Sequence, residues 1–199
     1  MSMAVNTIPG FYFTPTDEDL ITFYLKPKAM RQPLPWDGIL EKNLYGDNAT
    51  PWVILTENDW EISRQTARAY EDSVSKDEMY VFTKLKKIGT VRFGRVAGSG
   101  KWNDNQPFKY IKNRQGEIIG IKKIFTFKVK GEKGHEKMDH MEKGHWIMHQ
   151  YTLAGVSLVQ EVKDSDYAIC RIIRDLSKCR TNVAESSEGQ SRLDIDLNN

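Results

Sequence analysis

Apolar positions near the start of the chain recur at helical spacing. Leu20, Phe23 and Tyr24, with Ile21 and Leu25 beside them, form one stripe. Thr16 stands at the capping position, and Asp17, Glu18 and Asp19 suit the positive end of the helix that follows, so these carboxylates read as capping groups rather than catalytic acids. Pro27 is expected to kink or stop this helix. The second half of the chain changes period. Residues 80–84, 118–129, 146–153, 158–163 and 167–173 are β-branched and aromatic runs separated by glycine and charged turns, which predicts strands. Within 124–129, Ile124, Thr126 and Lys128 alternate with Phe125, Phe127 and Val129, as in a strand with one buried face. Residues 58–71 predict either one more helix or an inserted segment ahead of the sheet.

Length and charge sharpen this outline. A chain of 199 residues accommodates one domain with tails. Its net charge of +2 conceals a strong asymmetry: residues 79–131 carry thirteen lysines and arginines against Asp104 and Glu117, whereas the stretch from Asn182 carries Glu185, Glu188, Asp194 and Asp196 against Arg192. The expected division is a folded, basic 1–176 and a flexible, acidic 177–199. Cys170 and Cys179 do not make a disulfide framework, which points to a reducing, intracellular compartment. No apolar run approaches a membrane span, and the N-terminus lacks the layout of a signal peptide, so a soluble cytosolic or nuclear protein is expected.

Residues 91–102, Val-Arg-Phe-Gly-Arg-Val-Ala-Gly-Ser-Gly-Lys-Trp, hold the densest candidate chemistry. Arg92 and Arg95 lie in an extended segment, and Gly98 and Gly100 allow a turn or a close approach before Lys101 and Trp102. A phosphate-binding P-loop is excluded, because Lys101 is followed by Trp102 and no helix is predicted there. The basic field attracts a polyanion. His135, His140 and His145 recur at a five-residue spacing and His149 follows, but residues 132–143 read as a polar loop without a cysteine pair. They are taken as solvated loop histidines and a strand histidine, with no metal and no cofactor. No serine, histidine and acid stand in a nucleophile motif, so no enzyme is expected.

Six blocks, in order, give the chain a resemblance. Residues 9–25 (Pro-Gly-Phe-Tyr-Phe-Thr-Pro-Thr-Asp-Glu-Asp-Leu-Ile-Thr-Phe-Tyr-Leu), 37–55, 78–83, 95–102, 120–127 with 145–153, and 167–173 resemble the successive blocks of the NAC-domain transcription factors of plants. The resemblance implies an α+β fold, a twisted antiparallel β-sheet packed between helical elements, with a strand near 95–102 presented to double-stranded DNA. It implies a nuclear protein that pairs as a homodimer, or as a heterodimer with NAC proteins, through Phe11, Tyr12 and Asp19. DNA contact falls to Arg92, Arg95, Lys101, Trp102, Asn103, Asn105, Gln106, Lys109, Lys122, Lys123 and Lys130. Two departures matter. Asn103-Asp104-Asn105-Gln106-Pro107 replaces the family's usual Lys-Ala-Thr-Gly, and Tyr12 replaces the arginine of its Phe-Arg-Phe dimer contact.

The last residues, Leu-Asp-Ile-Asp-Leu-Asn-Asn, put Leu193, Ile195 and Leu197 on one side of an extended peptide and two carboxylates on the other. They resemble the repression motif with which plant transcription factors recruit Topless-type corepressors. Two readings therefore stand: a DNA-binding repressor, and an interaction module that pairs with intact relatives and lowers their DNA affinity.

Overall fold

Thr16 opens the first helix through reciprocal hydrogen bonds. In this computed structural model, which describes residues 13–66, 76–88, 92–131, 144–158 and 166–177, the Asp19 N–H donates to Thr16 Oγ1 at 3.1 Å and the Thr16 N–H donates to Asp19 Oδ2 at 2.9 Å. This is a capping box. The helix runs through α1 (Asp17–Asp19), a π-helical segment (Leu20–Leu25) and α2 (Lys26–Met30). Pro27 does not stop it. In the wide π-turn the Lys26 N–H already reaches back to the Ile21 carbonyl, and Pro27 stands in the first turn of α2, where a missing N–H costs least. Leu20, Ile21, Tyr24 and Leu25 are buried, whereas Phe23, expected in the same stripe, is 52% exposed.

The strands are β1 (Leu40–Glu41), β2 (Lys76–Lys84), β3 (Lys87–Ile88), β4 (Arg92–Phe93), β5 (Val96–Ala97), β6 (Gly100–Asp104), β7 (Lys109–Lys112), β8 (Ile118–Val129), β9 (His145–Leu153) and β10 (Tyr167–Asp175). Among the described residues, eight of them form one sheet in the order β1-β2-β10-β9-β8-β6-β5, with β7 also on β8. The pairs are antiparallel except β1 with β2. β3 and β4 make a separate ribbon. The strands expected from 80–84, 118–129, 146–153 and 167–173 are present. The one expected from residue 158 does not begin there: Leu158 is half exposed and follows a 3-10 turn, Gly155–Ser157, while residues 159–163 lie outside the description.

Two cores lie on the two faces of the sheet. Phe125 and Phe127 join Trp146, Met148, Cys170, Ile172, Met79 and Val81 on one face, which is covered by Leu44, Tyr45, Leu55 and Trp60. Ile119, Tyr151, Leu153, Ile169 and Phe82 occupy the other, under Leu20, Ile21, Leu25 and Ala29. The covering layer of the first face includes α3 (Pro51–Ile54) and α4 (Glu57–Thr66). The helix alternative for residues 58–71 is therefore met as far as Thr66, and residues 67–71 lie outside the description. Arg64 Nε and Arg174 Nη2 grip Asp77 at 2.9 and 2.6 Å, tying α4 to β2 and β10. Burial pushes the Asp77 carboxyl up, but the two guanidinium groups outweigh it and hold it below the usual range. The α+β class, with a twisted sheet between helical layers, is the one expected.

Candidate nucleic-acid interface

Residues 95–102 are first of all a packing device. β5 and β6 pair as a hairpin turned by Gly98 and Ser99. Gly98 has φ of +59°, and a Cβ there would lie 1.8 Å from Thr50 Oγ1. The same hydroxyl accepts from the Ser99 N–H at 3.2 Å, and the Gly98 N–H donates to the Gly46 carbonyl at 2.7 Å. A Cβ on Gly100 would stand 2.4 Å from the Lys128 carbonyl oxygen. The close approach expected of these glycines is thus made within the protein, to Thr50 and to the Lys128 carbonyl.

Two residues expected at the DNA surface serve the interior. Trp102 is 2% exposed, its ring edge-to-face with Phe127 at 5.3 Å between centroids. It belongs to the core and leaves the contact set, because alternation along β6 points it toward the packed face while Lys101 and Asn103 point away. Arg95 donates from Nη1 to Tyr45 Oη at 2.9 Å and to Gln150 Oε1 at 2.8 Å, and stacks on the Phe125 ring at 4.4 Å. Its guanidinium is half-buried and ties Tyr45 to Gln150 beneath the hairpin.

Two lysines are engaged as well. Lys122 Nζ meets both Asp17 carboxylate oxygens at 3.0 Å, with its side chain 18% exposed. Lys123 lies 3.7 Å from Asp104. Both charges are therefore partly neutralised. Of the expected set Lys101, Lys109 and Lys130 are exposed, and outside it so are Lys112, Arg114 and Lys128. Lys101 and Lys128 are cross-strand partners and point the same way, as do Asn103 and Thr126. Lys128 stood outside the expected contact set, although its alternation with Thr126 placed it on this face.

β6 and β7 share one edge of β8, and residues 105–108 connect them, with the Asn105 N–H still donating to the Ile124 carbonyl at 3.3 Å. Asn105, Gln106, Phe108 and Lys109 are all exposed here. The Asn105 carboxamide is bonded to Thr126 Oγ1, which fixes its orientation. Of Arg92 only the backbone, in β4, is described. At the expected dimer contact, Asp19 is half-buried and its carboxylate accepts from Thr16, while Phe11 and Tyr12 lie outside the described residues. So do His135, His140, Leu193, Ile195 and Leu197. Among the described residues no group of three or more metal-binding side chains is gathered. No helix among them is long and apolar enough to cross a membrane.

His149 lies beside this surface, between Ile124 of β8 and Arg171 of β10. Burial, with the positive charges of Lys122 and Arg171, pushes its imidazole down to about 4 against the pull of Asp17 and Glu78. The unfolded chain takes up this proton near 6.5, so the folded state is favoured above that pH and loses this contribution as pH falls from 6.5 to about 4. Denaturant titrations across that window should show stability falling with acidity, and less steeply in His149→Phe. Equal slopes in the two proteins would contradict the assignment.

The class is an α+β domain with exposed lysines on β6, β7 and β8 and exposed carboxamides between β6 and β7. Comparison with known proteins places it. Residues 8–153 match the family described as No apical meristem (NAM) protein. The chain is 31% identical over 191 residues to NAC domain-containing protein 19 of Arabidopsis thaliana, covering 92% of this chain and 52% of that protein. It is 34% identical over 182 residues to NAC domain-containing protein 1 of Solanum lycopersicum, covering 87% and 56%. With NAC transcription factor 32 of Arabidopsis thaliana it shares 32% over 173 residues, covering 82% and 58%. The chain belongs to the NAC-domain transcription factor family. It spans between 52% and 58% of the length of these three relatives.

Proposed function

We propose that this chain binds double-stranded DNA in the nucleus as a transcriptional repressor, using the β6–β7 edge of its sheet. The observation that carries the reading is the exposed set on this part of the sheet, Lys101, Lys128 and Lys130 beside the β5–β6 turn and Lys109 at the start of β7, with Asn105 and Gln106 exposed between β6 and β7. The lysines suit phosphates and fix the register of the protein on the duplex, and the carboxamides suit base edges in a major groove. The domain acts as a homodimer or a heterodimer with NAC proteins, through its N-terminal segment with Phe11, Tyr12 and Asp19. The relatives' names support a role in transcription. Each phosphate contact releases counterions on binding, so replacing one of these lysines lowers the salt slope of affinity by about 1. Lys101→Ala and Lys128→Ala are expected to weaken binding to all duplexes alike, by anisotropy titration at several salt concentrations. Unchanged slopes in both would remove this edge from the interface.

Repression rests on the tail. Leu193, Ile195 and Leu197 present three apolar side chains between carboxylates, the form of a docking peptide for a Topless-type corepressor. Residues 177–199 fused to an unrelated DNA-binding domain should lower reporter output. The same fusion with all three residues changed to alanine should not, and equal output from both would exclude the docking role.

A second reading is favoured by Asp104. It brings a carboxylate to the edge strand, only 3.7 Å from Lys123, and the segment after Trp102 contains no lysine before Lys109. In this reading the chain pairs with intact NAC proteins and reduces their DNA affinity. Mixing the purified chain with such a relative decides between them: the first reading gives a mixed complex that binds DNA, the second gives loss of the relative's binding.

A further inference from the structure

Phe108 and Tyr110 are large aromatic residues left in water where β7 begins. They are 47% and 51% exposed, and their rings meet edge-to-face at 5.1 Å between centroids and 82° between planes. Two residues apart on an extended segment, they point to the same side. Their place is fixed from below. β7 is hydrogen-bonded to β8, and Ile111, the next residue, is 6% exposed in the core under the first helix. Tyr110 is thus held on a paired strand, and Phe108, the residue before β7, rests against its ring.

Its surroundings select the partner. Lys109 lies between them in sequence with its side chain on the opposite face of the strand, Lys112 follows, and both are exposed. Asp104 is the one acid from residue 101 to residue 112, and Lys123 faces it. Asn105 and Gln106 lie in the connection just before them. A cationic strip with carboxamides and an apolar pair is complementary to a DNA major groove, whose base edges present hydrogen-bonding groups and a single apolar group, the thymine C5 methyl. We propose that Phe108 and Tyr110 pack against thymine methyl groups in the major groove and so set a preference for thymine in the bound site. This inference rests on the DNA-binding function proposed above. It accounts for recognition at an edge that lacks lysine from Asn103 to Phe108, since apolar contact discriminates where charged contact is missing.

The test changes the DNA before it changes the protein. A duplex enriched by the full chain from a random pool is compared with the same duplex carrying deoxyuridine for thymidine, which removes only the methyl groups. Affinity is expected to fall about fourfold for each methyl group buried. The double variant Phe108→Ser, Tyr110→Ser should bind the two duplexes equally while keeping the parent's salt slope. Equal binding of both duplexes by the parent overturns the proposal, and so does a deoxyuridine effect that persists in the double variant. A variant that loses self-association but keeps the deoxyuridine effect overturns it too, by assigning the rings to a protein contact. Failure of the parent to bind any duplex is a different result, which removes the DNA-binding function itself.

Discussion

Trp102→Ala is expected to cost about 3–5 kcal/mol of folding stability, the range for deleting a large buried aromatic. The indole is 2% exposed and packs on Phe127, which in turn meets Trp52 edge-to-face at 5.6 Å, so the cavity would open beneath both the hairpin and α3. Its Nε1 has no hydrogen-bond partner among the described residues. Trp102→Phe therefore sacrifices volume but no polar contact, and should cost much less while retaining DNA binding. Chemical denaturation and duplex binding of the two variants separate packing from contact. A Trp102→Ala protein as stable as the parent that fails only in DNA binding would return Trp102 to the interface.

Arg95→Ala is the second large effect, about 3 kcal/mol from lost charged hydrogen bonds and ring stacking. The guanidinium bridges Tyr45 and Gln150, residues more than a hundred positions apart, and Tyr45 Oη donates to Gln150 Oε1 at 2.7 Å within the same group. Burial pushes the Tyr45 phenol well above its ordinary range, so it stays protonated and available as that donor. Arg95→Lys keeps a charge but loses the planar fork and the stacking surface, and should recover little of the loss. Thermal unfolding is expected to shift downward in both variants, with the salt slope of the folded fraction unchanged. A flattened slope at full stability would instead make Arg95 a phosphate contact.

These two residues show where sequence reasoning stopped. Arginine and tryptophan beside a glycine pair carry the composition of a nucleic-acid surface, and only the register of β6 on β8 reveals that Trp102 faces Phe127. The neutralisation of Lys122 by Asp17 is invisible for a similar reason, since it joins residues 105 positions apart. Local patterns fared better. Alternation in 124–129 gave the buried face of β8 correctly, and the Thr16 cap and its three acids located the start of the first helix. Pro27 does not end the helix, because the π-turn before it changes which N–H groups the helix needs. Phe108 carried no expectation, although an aromatic two residues from Tyr110 in a basic segment is legible in the sequence.

The Gly-Ser-Gly segment combines both lessons. Its composition announced an unusual backbone, and the φ of Gly98 and the crowding at Gly100 bear that out. What crowds them is Thr50 and the carbonyl of Lys128, which aligns β6 against β8 and so sets the direction in which Lys101 and Asn103 point. The glycines hold β6 close to β8, and the two strands display Lys101 and Lys128 side by side.

The most direct test of the central claim is selection of bound duplexes from a random pool by the purified chain, alone and together with a NAC-domain relative. The account predicts that the chain alone enriches a short, recurrent, thymine-containing sequence, and that Lys101→Ala, Lys128→Ala protein retains far less DNA of any sequence. A pool that stays unenriched with the chain alone, combined with suppressed recovery of the relative's own site in the mixture, would contradict it.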